Sequence, residues 1–156
     1  MRTLWFTTLG ILMLSLTGCE QQLPVDIPGL NTARMTDEQQ IAAVLDDVHR
    51  GMESKRIYKV LAHVSPSYQD IEGRNYEIMR EYLSGIMRDY RNITIRRTRP
   101  RILVHGDRAR AVETFGTVAE PFNTETTQPL NIQGSLSVYL EREGDEWKII
   151  EWGPMR

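Results

Sequence analysis

The hydrophobic period of this chain changes once, near residue 92, and that change limits the folds open to it. Upstream, apolar residues recur at helical spacing. Ile41, Val44, Leu45, Val48 and Met52 fall on one face of a helix. Thr36 with Gln39 fits a capping box, and Asp37 and Glu38 suit the positive end of the helix dipole. A second, short helix is expected from about Lys55, with Ile57, Val60, Leu61 and Val64 on its apolar face. Ser65-Pro66 ends it, because the residue before proline is pushed out of the helical region. A third helix follows Gly73-Arg74-Asn75, with Asn75 as its cap. It carries Met79, Tyr82, Leu83, Ile86 and Tyr90 on one side and closes near Arg91-Asn92. Beyond it the pattern is that of strands. Residues 93–105 and 108–118 are expected as a hairpin turning at Gly106-Asp107, and residues 119–129 as a polar loop. Residues 130–142 and 146–152 are expected as a second hairpin turning at Gly144-Asp145. Helices first and antiparallel strands after them predict an α+β domain over residues 36–156, three N-terminal helices packed on an antiparallel sheet.

The N-terminus obeys other rules. Met1 and Arg2 form a short positive start, and Leu4 to Leu16 is apolar but too short to span a bilayer, which takes roughly 20 residues. The run ends in Leu16-Thr17-Gly18-Cys19. This tetrapeptide resembles the lipobox of bacterial lipoproteins. The resemblance implies cleavage after Gly18 and acylation of Cys19, with residues 1–18 as the signal peptide. Residues 19–35 are then a lipidated tether, in which Pro24, Pro28 and Gly29 break regular structure. Glu20 follows the cysteine, where an aspartate would retain a lipoprotein at the inner membrane. The expected location is therefore the cell envelope, on the outer membrane facing the periplasm in a Gram-negative host.

Cys19 is the only cysteine. The folded part has no disulfide, thiolate metal site or cysteine nucleophile to draw on. A net charge of −2 argues against general nucleic-acid binding. There is no phosphate-binding glycine loop, nucleophile elbow or metal-spaced histidine pair, so neither cofactor nor metal is expected. His49, His63 and His105 lie in three separate elements and read as structural or solvent-facing.

The layout resembles the nuclear-transport-factor-two-like, or ketosteroid-isomerase-like, domains. The resemblance rests on the first helix, the break at Ser65-Pro66-Ser67-Tyr68 with Asp70 after it, the Gly106-Asp107 turn followed by Ala109 and Ala111, and the ending Gly144-Asp145-Glu146-Trp147-Lys148-Ile149. It implies a cone, in which a curved sheet wraps a long helix around an open-ended pocket.

Four residues are pocket candidates. Alternation places Ala109, Ala111, Glu113 and Phe115 on one strand face, with Pro100 opposite Glu113 and Thr98 opposite Phe115. Glu113 is then a carboxylate among apolar neighbours: a candidate general base, or a partner for Arg96 or another arginine. Tyr68 and Asp70 follow the break where cone domains turn back toward the pocket. Ketosteroid isomerases use a tyrosine donor and an aspartate base, but their motif does not map here residue by residue, so no catalytic residue is assigned.

Eight arginines fall between Arg88 and Arg110. Alternation predicts that Arg97, Arg99 and Arg101 share one face, either as an anion-binding ridge or as a solvated strand surface. Three functions remain open, in this order: a non-catalytic binding or assembly domain, a carrier or sensor of an apolar ligand such as a lipid, and a small isomerase or hydrolase. The expected partners are a membrane through the lipid on Cys19 and an envelope protein, a lipid or an anionic glycolipid. The oligomeric state is open, a dimer included. Replacing Cys19 with alanine should abolish incorporation of a palmitate analogue. Labelling that persists in Cys19→Ala would refute the lipobox reading.

Overall fold

The structure is a computed structural model and describes residues 35–156. The segment expected as signal peptide, Cys19 and the expected tether before Met35 lie outside the described residues. Helix α1 spans Asp37–Glu53 and is capped as expected. Thr36 accepts from the Gln39 backbone amide, and the Gln39 side chain reaches back to the Thr36 amide. Ile41, Leu45 and Val48 are its buried stripe. Helix α2 (Ile57–Leu61) is a single turn and a half that buries Val60. The α1–α2 contact is close enough that a Cβ on Gly51 would stand 2.8 Å from the Val60 side chain. Helix α3 (Tyr76–Asp89) is capped by the Asn75 side chain and buries Met79, Leu83 and Met87. Tyr82 is 53% exposed rather than in the core, and Tyr90 already belongs to the first strand.

Five strands form one antiparallel sheet. They are β1 (Tyr90–Arg97), β2 (Arg101–His105), β3 (Arg108–Pro121), β4 (Leu130–Glu143) and β5 (Glu146–Trp152). The order is β1-β3-β4-β5, with β2 also paired to β3. Both hairpin turns open on a glycine with positive φ, Gly106 at 59° and Gly144 at 63°.

The expected strand over 93–105 is in fact two strands on the same edge of β3. Near the turn the register is as expected, with Val104 opposite Ala109 and Ile102 opposite Ala111. Beyond that it slips. Arg101 faces Val112 and Arg97 faces Phe115, so three residues on one side oppose two on the other. Pro100, which has no amide to donate, falls in this bulge. The pairings of Pro100 with Glu113 and Thr98 with Phe115 are therefore not made. Strand β3 also runs to Pro121, past the expected start of the loop.

The helices cover one face of the sheet. The core combines the α1 stripe, Val60, Val64, Met79, Leu83 and Met87 with Ala109, Ala111, Val138, Leu140, Trp147 and Ile149. Burying both apolar faces together is what removes them from water.

The segment between α2 and α3 is tied down by Asp70, which is 5% exposed. Its Oδ1 accepts from the Glu72 and Arg74 amides, and its Oδ2 accepts from Tyr68 Oη at 2.9 Å and Arg74 Nε at 2.7 Å. The Trp152 amide donates in turn to Tyr68 Oη, linking the segment to β5. Burial alone would raise the Asp70 carboxyl, but the bonds from Arg74 and Tyr68 outweigh it and hold it below its ordinary value. Burial pushes the Tyr68 phenol well up.

Asp70→Ala should cost about 3 kcal/mol, since it strands several buried donors. The wild-type contribution is complete above the unfolded carboxyl value of about 3.9 and is lost as pH falls below it. Chemical denaturation across that range should show an acid-dependent loss that Asp70→Asn lacks. Equal acid slopes in the two proteins would contradict this role.

Candidate functional site

Between the concave sheet face and the helices lies a cavity of about 430 Å³. Its wall is largely apolar, with Met52 from α1, Leu83 and Ile86 from α3, and Phe115, Ile132 and Trp152 from the sheet. Thr117 adds a hydroxyl, and Glu72 and Arg74 also line it.

One polar cluster enters this apolar space. Alternation along β3 turns Glu113 inward, where it is 3% exposed. Its Oε1 accepts from Arg97 Nη1 at 2.9 Å, and its Oε2 stands 3.4 Å from His49 Nε2. Arg97 also pairs with Asp46 on α1. The cluster thus joins β1, β3 and α1. His49 Nδ1 is buried and has no hydrogen-bond partner among the described residues.

The four pocket candidates separate. Glu113 and Phe115 line the cavity, whereas Tyr68 and Asp70 lie behind its lining. Asp70 touches the site through the Glu72 and Arg74 amides and through the Arg74 guanidinium, which it holds, with Glu72 pairing the same group at 2.8 Å. Arg74 also lies over the Tyr82 ring, 5.3 Å from its centroid. The partner of Glu113 is an arginine, as one reading had it, but it is Arg97 rather than Arg96.

The arginine row is broken up by the bulge. Arg97 faces Phe115 and turns into the cone, while Arg101 faces Val112 and turns outward; Arg99, in the bulge, is exposed. The expected common face of Arg97, Arg99 and Arg101 does not form, because the extra residue reverses the alternation between the first and the last.

His49 and Asp46 carry no motif; the sequence reading took His49 as structural or solvent-facing and passed over Asp46. Their signal was positional, since His49 follows Leu45 by one helical turn and so flanks the buried stripe. His63 stands 3.5 Å from Asp47, where burial lowers it despite the carboxylate's pull, and His105 is exposed. Among the described residues no group of three or more His, Cys, Asp or Glu side chains comes together to hold a metal.

Comparison with known proteins agrees with this architecture. The SnoaL-like domain family matches residues 41–153. No curated protein matches. Among solved structures, a nuclear transport factor 2-like superfamily protein from Salmonella enterica serovar Typhimurium superposes with a TM-score of 0.63 at 16% identity, over 74% of this chain and 87% of that one. A hexachlorocyclohexane dehydrochlorinase superposes with a TM-score of 0.63 at 14% identity, over 75% and 83%. The Bd1075 protein of Bdellovibrio bacteriovorus superposes with a TM-score of 0.61 at 18% identity; the match covers 75% of this chain but only 39% of that longer one. At such identities the likeness is one of fold. The family match spans most of the chain, and the chain belongs to the SnoaL-like domain family, with the cone-shaped α+β fold of the nuclear-transport-factor-two-like proteins.

Proposed function

We propose that the chain is a lipid-anchored envelope protein whose cone domain binds a small apolar ligand bearing one polar group and does not transform it. The observation that carries this reading is an apolar cavity whose carboxylates and guanidiniums are already paired with one another. Its volume of about 430 Å³ is in the range that small-molecule sites occupy. The polar group of the ligand would lie at the end of the cavity near Glu113 and His49.

Catalysis by general acid or base needs a group within reach of the substrate that is free to take or give a proton. Glu113 has Arg97 on one oxygen and His49 beside the other. Asp70 accepts four hydrogen bonds and lies behind the cavity wall. The dehydrochlorinase shows that this fold hosts enzymes, but fold alone does not transfer an activity. The envelope part of the reading rests on the lipobox-like Leu16-Thr17-Gly18-Cys19 and on Glu20 after it. The bilayer that holds Cys19 is then one partner. An envelope protein, a lipid or an anionic glycolipid would be the source or recipient of the ligand.

The apolar dye N-phenyl-1-naphthylamine should bind the chain with enhanced fluorescence. Ile132→Trp, which fills the cavity, should weaken binding by about tenfold, a loss of about 1.4 kcal/mol. Leu103→Trp, on the outer face of the sheet, should leave binding unchanged. Equal binding by the wild type and by a folded Ile132→Trp variant would rule the cavity out as the binding site.

A further inference from the structure

The face of the sheet turned away from the cavity carries an unusual distribution of charge. Register places Arg96, Arg101, Leu103 and His105 on that outer face from the β1/β2 edge, opposite Gly116, Val112, Arg110 and Arg108 of β3. Arg99 lies exposed in the bulge beside them. Arg96, Arg99 and Arg101 have no hydrogen-bond or ion-pair partner among the described residues. Arg108 stands 3.8 Å from Glu141, and Arg110 reaches only the Ser137 hydroxyl, at 2.9 Å, and the Tyr139 ring. Among the carboxylates of this face, Glu141 stands beside Arg108 and none pairs with Arg96, Arg99 or Arg101. Glu120 is taken by Arg91 at 3.3 Å, and Glu141 and Glu151 belong to β4 and β5. Three unpaired guanidiniums, those of Arg96, Arg99 and Arg101, thus gather along the β1/β2 edge, with Arg110 beside them on β3, in a chain of net charge −2. Among them Leu103 is 62% exposed.

We propose that this edge docks the domain flat on an anionic phospholipid bilayer, the same bilayer to which Cys19 would be anchored. The inference rests on the lipid-anchor reading for its choice of surface. Residues 20–35 reach at most about 55 Å from the anchor, which lets the domain stand off the surface and equally lets it return to the headgroups. Arginines two apart on a strand stand roughly 6.7 Å from each other and repel unless anions lie between them. Phosphodiesters supply those anions, and guanidinium engages phosphate through two parallel hydrogen bonds. An exposed leucine ringed by arginines suits an interface where the apolar side chain enters the acyl boundary and the cations stay among the headgroups. Docked this way, the sheet turns its concave face and the cavity away from the bilayer.

The test uses the full chain, purified from membranes and mixed with excess vesicles of phosphatidylcholine alone or with added phosphatidylglycerol. Leu103→Cys places a thiol at the centre of the patch, and its reaction with a water-soluble maleimide is read at residue 103 by mass spectrometry. Reaction should be about tenfold slower or more on phosphatidylglycerol vesicles, and moderate salt should restore it, because exposed charges are screened within about 10 Å at 0.1 M. Each arginine near an anionic surface strengthens binding roughly fivefold. Adding Arg96→Gln, Arg99→Gln and Arg101→Gln should therefore abolish the protection, and none of the three has a partner whose loss would unfold the domain. Equal rates on both vesicles would overturn the proposal. So would slow reaction on both that the triple change does not relieve, which would point to a second copy of the chain or another protein. Protection only on vesicles carrying anionic glycolipid would overturn it as well. The acyl mass on Cys19 is read from the same sample. Its absence would sink the anchoring reading, while the labelling rates would still decide the docking face.

Discussion

A carboxylate cannot stay charged in an apolar interior unless other groups meet it there, and Glu113 obliges this fold to supply them. Arg97 comes from the neighbouring strand and His49 from the first helix; Asp46, on the same helix, holds the far side of Arg97. Three elements distant in sequence are drawn to one point. The apolar contacts of Ile41, Leu45 and Val48 pack α1 against the sheet, and the ion cluster ties the same helix to β1 and β3. It also closes one part of the cavity. The groups that join these elements are thus the same groups that give the cavity its polar end.

The fold was legible because it depends on period. Helical spacing gives way to alternation once, and each apolar face needs the other. The capping box at Thr36 and Gln39 and the two Gly-Asp turns could be read residue by residue, since their geometry is local. Boundaries that depend on distant partners were not legible. Tyr90 continues the helical spacing of Met79 and Leu83 yet is recruited into β1 by pairing with Pro121. The loop expected from residue 119 starts later because β4 offers Leu130 as a partner for Ala119.

The lining of the cavity was legible by half, for the same reason. Strand alternation suffices to turn Glu113 and Phe115 inward. Tyr68 and Asp70 were drawn toward the pocket by analogy with other cones, whereas their own chemistry serves the backbone between α2 and α3. An aspartate followed within four residues by an amide-rich turn and an arginine commonly finds its partners locally, as Asp70 does. The identity of the Glu113 partner required knowing where β1 breaks.

That break gives the chain an unequal tolerance to different kinds of genetic change. Between Arg97 and Arg101 one surplus residue sends the first guanidinium inward to Glu113 and the last outward to solvent. Exchanging one residue for another at Thr98 or Arg99 leaves that count intact. Losing a single codon there would not: either β1 or β2 would have to slide along β3, and every side chain on the sliding strand would change sides. Homologous chains should therefore vary freely in the letters at these positions while keeping their number.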